Sequence, residues 1–178
     1  MGEGLIMKAA VLFARSDSIY KEIEGLDVYD IERDARKYRG NLPVIAHPPC
    51  RAWGRLSGQA KPRDDEKELA IFAVEQVKRC GGVLEHPANS KLWKAAGLPL
   101  PGESLKGGFT LPILQSWFGH EAPKNTWLYI SGIEQTKIPA IHFLLGIPPG
   151  RVENMSKNKR EKTPKDLAFW LVDLVSRI

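Results

Sequence analysis

At 178 residues, with 43% hydrophobic and 26% charged content, the chain has the size and composition of one globular domain with a full core. No apolar run approaches the roughly 20 residues of a membrane helix. The opening MGEGLIMKAAVLF lacks the layout of a signal peptide, so no membrane partner and a cytoplasmic location are expected. A net charge of +5 and a pI near 9.2 favour acidic partners, nucleic acid or a nucleotide.

Residues 1–7 read as a tag or flexible start, and 8–178 as a single domain. Lys8 to Phe13 is an apolar run that predicts a first strand, followed by the polar ARSDS and a short helical stretch ending before Gly25. Leu26 to Ile31 predicts a second strand, and Ala35 to Tyr38 a helical turn. Val44, Ile45 and Ala46 predict a buried strand whose exit is stiffened by Pro48 and Pro49, since proline cannot continue a sheet ladder. Cys50 follows at once, placed where ligands bind beyond the carboxyl ends of strands in open α/β sheets.

The clearest helix comes next. Asp64, Asp65 and Glu66 crowd its first turn, Lys78 and Arg79 its last, and Gly81-Gly82 stops it, the charge order a helix dipole favours. Leu69, Phe72, Ala73, Val77 and Cys80 share one face, which makes Cys80 a structural thiol. Two cysteines in a cytosolic chain are expected to stay reduced. Gly82 to Glu85 predicts a further strand ending in HPANS. Pro99 to Gly108 reads as loop, Leu111 to Phe118 as helical or extended, and Thr126 to Ile130 as a strand from its β-branched and aromatic content. After a long loop from Gly132 to Lys162, Thr163 and Pro164 open a last helix whose apolar stripe is Leu167, Trp170, Leu171, Leu174, Val175 and Ile178. Strands alternating with helices predict a layered α/β domain.

Taken in order, VLFARSDS, VYDIERDARKY, PPC, EHPA and Q..FGH...KNTWLYISG resemble the cytosine-5 DNA methyltransferases, and more narrowly short, phage-type proteins of that kind. The resemblance spans about residues 8 to 178. It implies a three-layer Rossmann-like sheet with helices on both faces, and a protein, minimal or degenerate, that acts on cytosine in DNA or a related nucleotide. It also implies Cys50 as the nucleophile that adds to ring carbon 6, and Glu85 as the ring-binding acid near nitrogen 3. S-adenosylmethionine is the cofactor it implies, with Phe13, Asp17, Asp30 and Pro48 at the cofactor positions. Pro49, Arg51, Trp53, His86, Lys124 and Thr126 then fall at substrate positions, while Lys157, Lys159 and Arg160 would meet nucleic-acid phosphates.

Arg51 and Arg55 are candidates to lower the pKa of Cys50. Where the family has a glycine-rich turn this chain has ARSDS, with no glycine before Gly25. His47, His86 and His120 each abut a motif but lack metal-ligand spacing, so no metal is assigned. Trp53, Trp93, Trp117 and Trp127 could stack bases or form core. Plainer readings stand beside these: Cys50 as a small packed residue, Glu85 and Asp30 as structural or surface carboxylates, and the basic run as a solvated loop. Two other functions stay open, a different nucleotide- or nucleoside-processing enzyme on the same scaffold, and a non-catalytic binder of nucleic acid or nucleotide.

Overall fold

The computed structural model describes residues 7–54, 57, 58, 60–105 and 107–178. Arg55, one of the two cations expected to activate Cys50, and residues 1–6 lie outside them. The chain forms a seven-stranded mixed sheet with helices. Its strands are β1 (Ala9–Leu12), β2 (Leu26–Tyr29), β3 (Val44–Ala46), β4 (Gly82–Pro87), β5 (Ser104–Leu105), β6 (Gly108–Leu114) and β7 (Asn125–Ser131). The helices are α1 (Glu66–Cys80), α2 (Lys91–Ala95), α3 (Lys157–Glu161) and α4 (Lys165–Val175).

The strand order is β2-β1-β3-β4-β7-β6-β5. β2, β1, β3 and β4 are mutually parallel, whereas β7 runs against both β4 and β6. The central strands are apolar without alternation because both sides are covered, as parallel strands require. Ala9, Val11, Ile45 and Val83 join the cluster that holds Leu167, Leu171 and Leu174 of α4. Their neighbours Ala10, Leu12, Val44, Ala46 and Leu84 join the cluster that holds Ala70, Ala73, Val74 and Val77 of α1. The period-2 geometry of a strand thus hands alternate residues to two different helices.

From β1 the chain moves to β2 on one side and returns to β3 on the other. The carboxyl ends of β1 and β3 therefore diverge into a crevice, the position where open α/β sheets bind ligands. The parallel β3–β4 pair is set by Gly82, opposite Val44, with φ of 133°.

Several local expectations change. Residues 111–114 are extended in β6 and the helical part is a single 3-10 turn, Gln115–Phe118, ended by Gly119 in the left-handed region. Ser90 caps the short α2 by accepting from the Leu92 N–H, inside a stretch with no apolar periodicity of its own. β5 forms within the predicted Pro99–Gly108 loop by pairing with β6, a non-local gain that no local pattern announces. Pro164, not Thr163, occupies the N-cap of α4 and makes no side-chain cap bond. Ile178 lies beyond the helix and is exposed. Cys80 is half-buried, its Sγ donating to the Gly40 carbonyl.

Candidate functional site

Turns leaving β1, β2 and β3, the carboxyl end of β4, Lys124 and the α3 segment line a cavity of about 900 Å3. Phe13, Asp17, Asp30, Pro48, Pro49, Cys50, Arg51, Glu85, Lys124, Lys157 and Arg160 all line it, so most of the residues singled out along the sequence converge. Among the described residues, three of the four non-glycine residues with positive φ, Phe13 (63°), Asp34 (56°) and Lys124 (42°), also sit on this wall. A bulky side chain in the left-handed region costs roughly 1–3 kcal/mol and tends to mark a functional site.

Four of the residues singled out do not line the cavity. His86 follows Glu85 on β4 and so points to the other face of the sheet, where it is buried with its ring 6.4 Å from that of Trp93. Thr126 is buried behind the site, accepting from Gln115 Nε2 and donating to the Lys124 carbonyl. Trp53 packs against the α1-side cluster and does not line the cavity. Lys159 turns outward to Glu121, 2.9 Å away. Trp93, Trp117 and Trp127 pack in or against the core rather than into the cavity. The three histidines do not converge either: His47 reaches the cavity wall, His86 the opposite face, and His120 Nδ1 a turn at Ala122.

Glu85 is the most heavily organised group. His47 Nδ1 donates to Glu85 Oε2 at 3.0 Å, and Gln115 Nε2 donates to Oε1 at 2.9 Å. Burial alone would raise its pKa, but the His47 hydrogen bond, then the charges of Lys124, His47 and His86, outweigh it and hold the carboxyl down to about 2. Glu85 is therefore an ionised acceptor at neutral pH. His47 Nε2 makes a second bond, 3.0 Å from the Tyr20 hydroxyl. Tyr20 and His47 line the cavity, yet the sequence offered no role for Tyr20 and weighed His47 only as a metal ligand. Gln115 was legible as a motif letter without a function.

Cys50 behaves differently from expectation. Arg51 Nη2 is committed to Glu66 Oε1 rather than to the thiol. Burial first, and the Glu85 charge second, push the Cys50 thiol above its ordinary value, with Lys124 opposing them. Alkylation of Cys50 by iodoacetamide, followed by peptide mass spectrometry, should accordingly be slow at pH 7 and accelerate with rising pH. Glu85→Gln should speed it at pH 7 by removing the repelling charge; an unchanged or slower rate would contradict this electrostatic account.

His86 carries a second pH signature. Burial holds its pKa down to about 4, so the folded chain keeps the ring neutral where the unfolded chain takes a proton. Stability is thus full above pH 6.5 and is lost as pH falls from there toward 4. Between pH 7.5 and 5 the loss should be about 2 kcal/mol, read as a fall in urea midpoint that His86→Phe largely removes. Equal falls in both proteins would rule it out.

No protein-family model matches the chain, and no curated protein matches it.

Proposed function

We propose that the chain is a degenerate methyltransferase-like protein, of three-layer Rossmann-like architecture, that handles cytosine in DNA or a related nucleotide through covalent addition of Cys50. The observation that carries this reading is that Cys50 and Glu85, 35 positions apart in sequence, line one cavity at the β1–β3 divergence. The cavity is large enough for a nucleotide, within the ordinary range of small-molecule sites. Lys124, Arg160 and Lys162 on its wall make no ion pair among the described residues and suit a phosphate.

The chemistry follows from the residues. The thiolate form of Cys50, its proton released to solvent, adds to ring carbon 6, the 5,6 double bond shifts its electron pair toward the carbon 5–nitrogen 3 system, and nitrogen 3 takes a proton on the Glu85 side. Carbon 5 of the adduct then picks up a solvent proton. Solvent takes the original hydrogen as a proton, nitrogen 3 returns its proton on the Glu85 side, and expulsion of the thiolate restores the ring.

S-adenosylmethionine fits this site poorly. Asp30, 5% exposed, accepts from Lys21 Nζ at 2.5 Å and from the backbone N–H groups of Glu32 and Arg33, which leaves little of the roughly four-fold acceptor capacity of a carboxylate for ribose hydroxyls. Phe13 and Ala14 carry Cβ atoms where close backbone approach would favour glycine. Arg15 is clamped by both oxygens of Asp17 and reaches Asn158 across the mouth. No step above depends on a methyl donor.

The test needs none. Protein in D2O with dCMP, or with a cytosine-containing single-stranded oligonucleotide, should replace the carbon 5 hydrogen by deuterium, read as loss of that proton signal in NMR. Exchange in dCMP but not in the oligonucleotide would assign the site to a free nucleotide, a reading that the Arg15–Asp17 wall also favours. Binding without exchange in either would sink the covalent role and leave a non-catalytic binder.

A further inference from the structure

Adding a thiolate to cytosine leaves negative charge on the ring that a proton at nitrogen 3 must neutralise. Glu85 is the group placed beside that atom by the reading above, but both of its oxygens already accept hydrogen bonds, from His47 and from Gln115. A carboxylate so held is a poor source of a proton at neutral pH, being ionised down to about pH 2. The proton has to come from a neighbour that Glu85 touches. Gln115 cannot supply one, because an amide does not ionise in this range. Lys124 influences Glu85 through its charge but makes no hydrogen bond to it among the described residues.

We propose that Tyr20, His47 and Glu85 form a proton relay in which His47 is the acid and Glu85 hands its proton to the substrate ring. The inference rests on the covalent reading above. Its geometry is a continuous chain, Tyr20 hydroxyl to His47 Nε2 at 3.0 Å and His47 Nδ1 to Glu85 Oε2 at 3.0 Å, with Tyr20 and His47 on the turns after β1 and β3 and Glu85 on β4 itself. In the charged imidazolium both ring N–H groups have an acceptor ready, Glu85 on one side and the Tyr20 oxygen on the other. As the Cys50 sulfur bonds to carbon 6, Nδ1–H passes its proton to Glu85 Oε2, and the carboxyl delivers one to nitrogen 3. His47 is left neutral, with its remaining Nε2–H on the Tyr20 oxygen. When the thiolate leaves, nitrogen 3 returns the proton along the same path, so the relay closes with no other reactant.

Gln115 has a supporting place. Its Nε2 is shared between Glu85 Oε1 and Thr126 Oγ1, at 2.9 and 3.1 Å, which fixes the carboxylate plane relative to His47. His47 is 11% and Glu85 13% exposed, so the pair is shielded from bulk water while lining the cavity. The ionisable groups around the relay are Cys50, Lys124, His86 and, from α3, Glu161. None of them is bonded to His47.

The experiment measures carbon 5 exchange in dCMP against pH for the wild type, His47→Asn and Tyr20→Phe, with 15N NMR of the His47 ring in the wild type. Because the step needs a Cys50 thiolate together with the His47 proton, the wild-type rate should stop rising with pH while Cys50 is still mostly thiol, and the flat limb that begins there should coincide with the change in the 15N signals of the His47 ring. His47→Asn should exchange about 100-fold more slowly and lose that limb, a change that a purely structural role would not produce. Tyr20→Phe, which removes only the acceptor on Nε2, should move the limb to lower pH. Exchange at the wild-type rate with an unchanged profile in His47→Asn, an unmoved limb in Tyr20→Phe, or a limb with no matching His47 titration would each overturn the relay while leaving the Cys50 reading intact. Absence of exchange in the wild type would instead remove the covalent reading on which it rests.

Discussion

A Gly82→Ala substitution is expected to leave the chain without a stable fold. A Cβ built on Gly82 would lie 2.0 Å from the Val44 carbonyl oxygen and 2.6 Å from the Val44 nitrogen, both backbone atoms of the adjacent strand. Neither can move without breaking the β3–β4 ladder, and a φ of 133° is one that side-chain-bearing residues rarely adopt. The two effects act together, so destabilisation of more than about 4 kcal/mol is expected, comparable with the whole margin of many domains. Gly58→Ala is the matched control, because nothing lies within 4 Å of its added Cβ. Urea unfolding followed by circular dichroism should find Gly58→Ala near the parent and Gly82→Ala unfolded or insoluble. A Gly82→Ala protein with the parent's midpoint would mean that β3 and β4 do not pair in the register described.

The same pairing sets the functional geometry, since β3 leads into Cys50 and β4 carries Glu85. Cys50→Ser should reduce carbon 5 exchange by about 10³-fold or to background, because a serine hydroxyl cannot replace the thiolate as a nucleophile at neutral pH. Glu85→Gln should lose exchange to a similar extent, for a separate reason. It keeps the shape of the side chain while removing the charge that holds the His47 Nδ1 proton and the acceptor that passes it on. Dissociation constants for dCMP, measured by calorimetry, should change far less in Cys50→Ser than the exchange rate does. If Cys50→Ser exchanges as the parent does, the nucleophile is not Cys50, whatever the site binds.

Much of this arrangement could be read from residues one at a time. The β1, β3 and β7 strands and the α1 and α4 helices follow from apolar runs, β-branched content and helical spacing, since burial on both sides of a sheet or on one stripe of a helix imposes those patterns locally. Pro48 and Pro49 follow the end of β3 as read, whereas β4 runs two residues past the expected Glu85 because Pro87 still pairs with Thr126 of β7. Cys50, after β3, and Glu85, near the carboxyl end of β4, could be singled out because their residue types and their places at strand ends are informative without any knowledge of neighbours.

What could not be read were contacts that depend on which turns meet. Trp53, His86 and Thr126 sit beside motif residues in sequence, yet strand alternation and packing turn them away from the cavity. Lys157, Lys159 and Arg160 belong to one basic run, but a helical turn sends Lys159 to Glu121 and leaves the other two on the cavity wall. Arg51 looked like an activator of Cys50 until the fold brought Glu66 to it.

Short segments of the chain were enough to give the α/β class, most of the main elements and two residues, Cys50 and Glu85, that line the cavity, because hydrophobic periodicity, proline geometry and thiol chemistry act locally. Tertiary structure alone decided the strand order, the reversed β7, the cavity at the β1–β3 divergence and the Tyr20–His47–Glu85 chain. Those features arise where segments tens of residues apart come within hydrogen-bond distance. The charge state of Glu85 belongs with them, because burial and three positively charged or ionisable neighbours act on it from different strands and turns, and their balance exists only once the chain is folded.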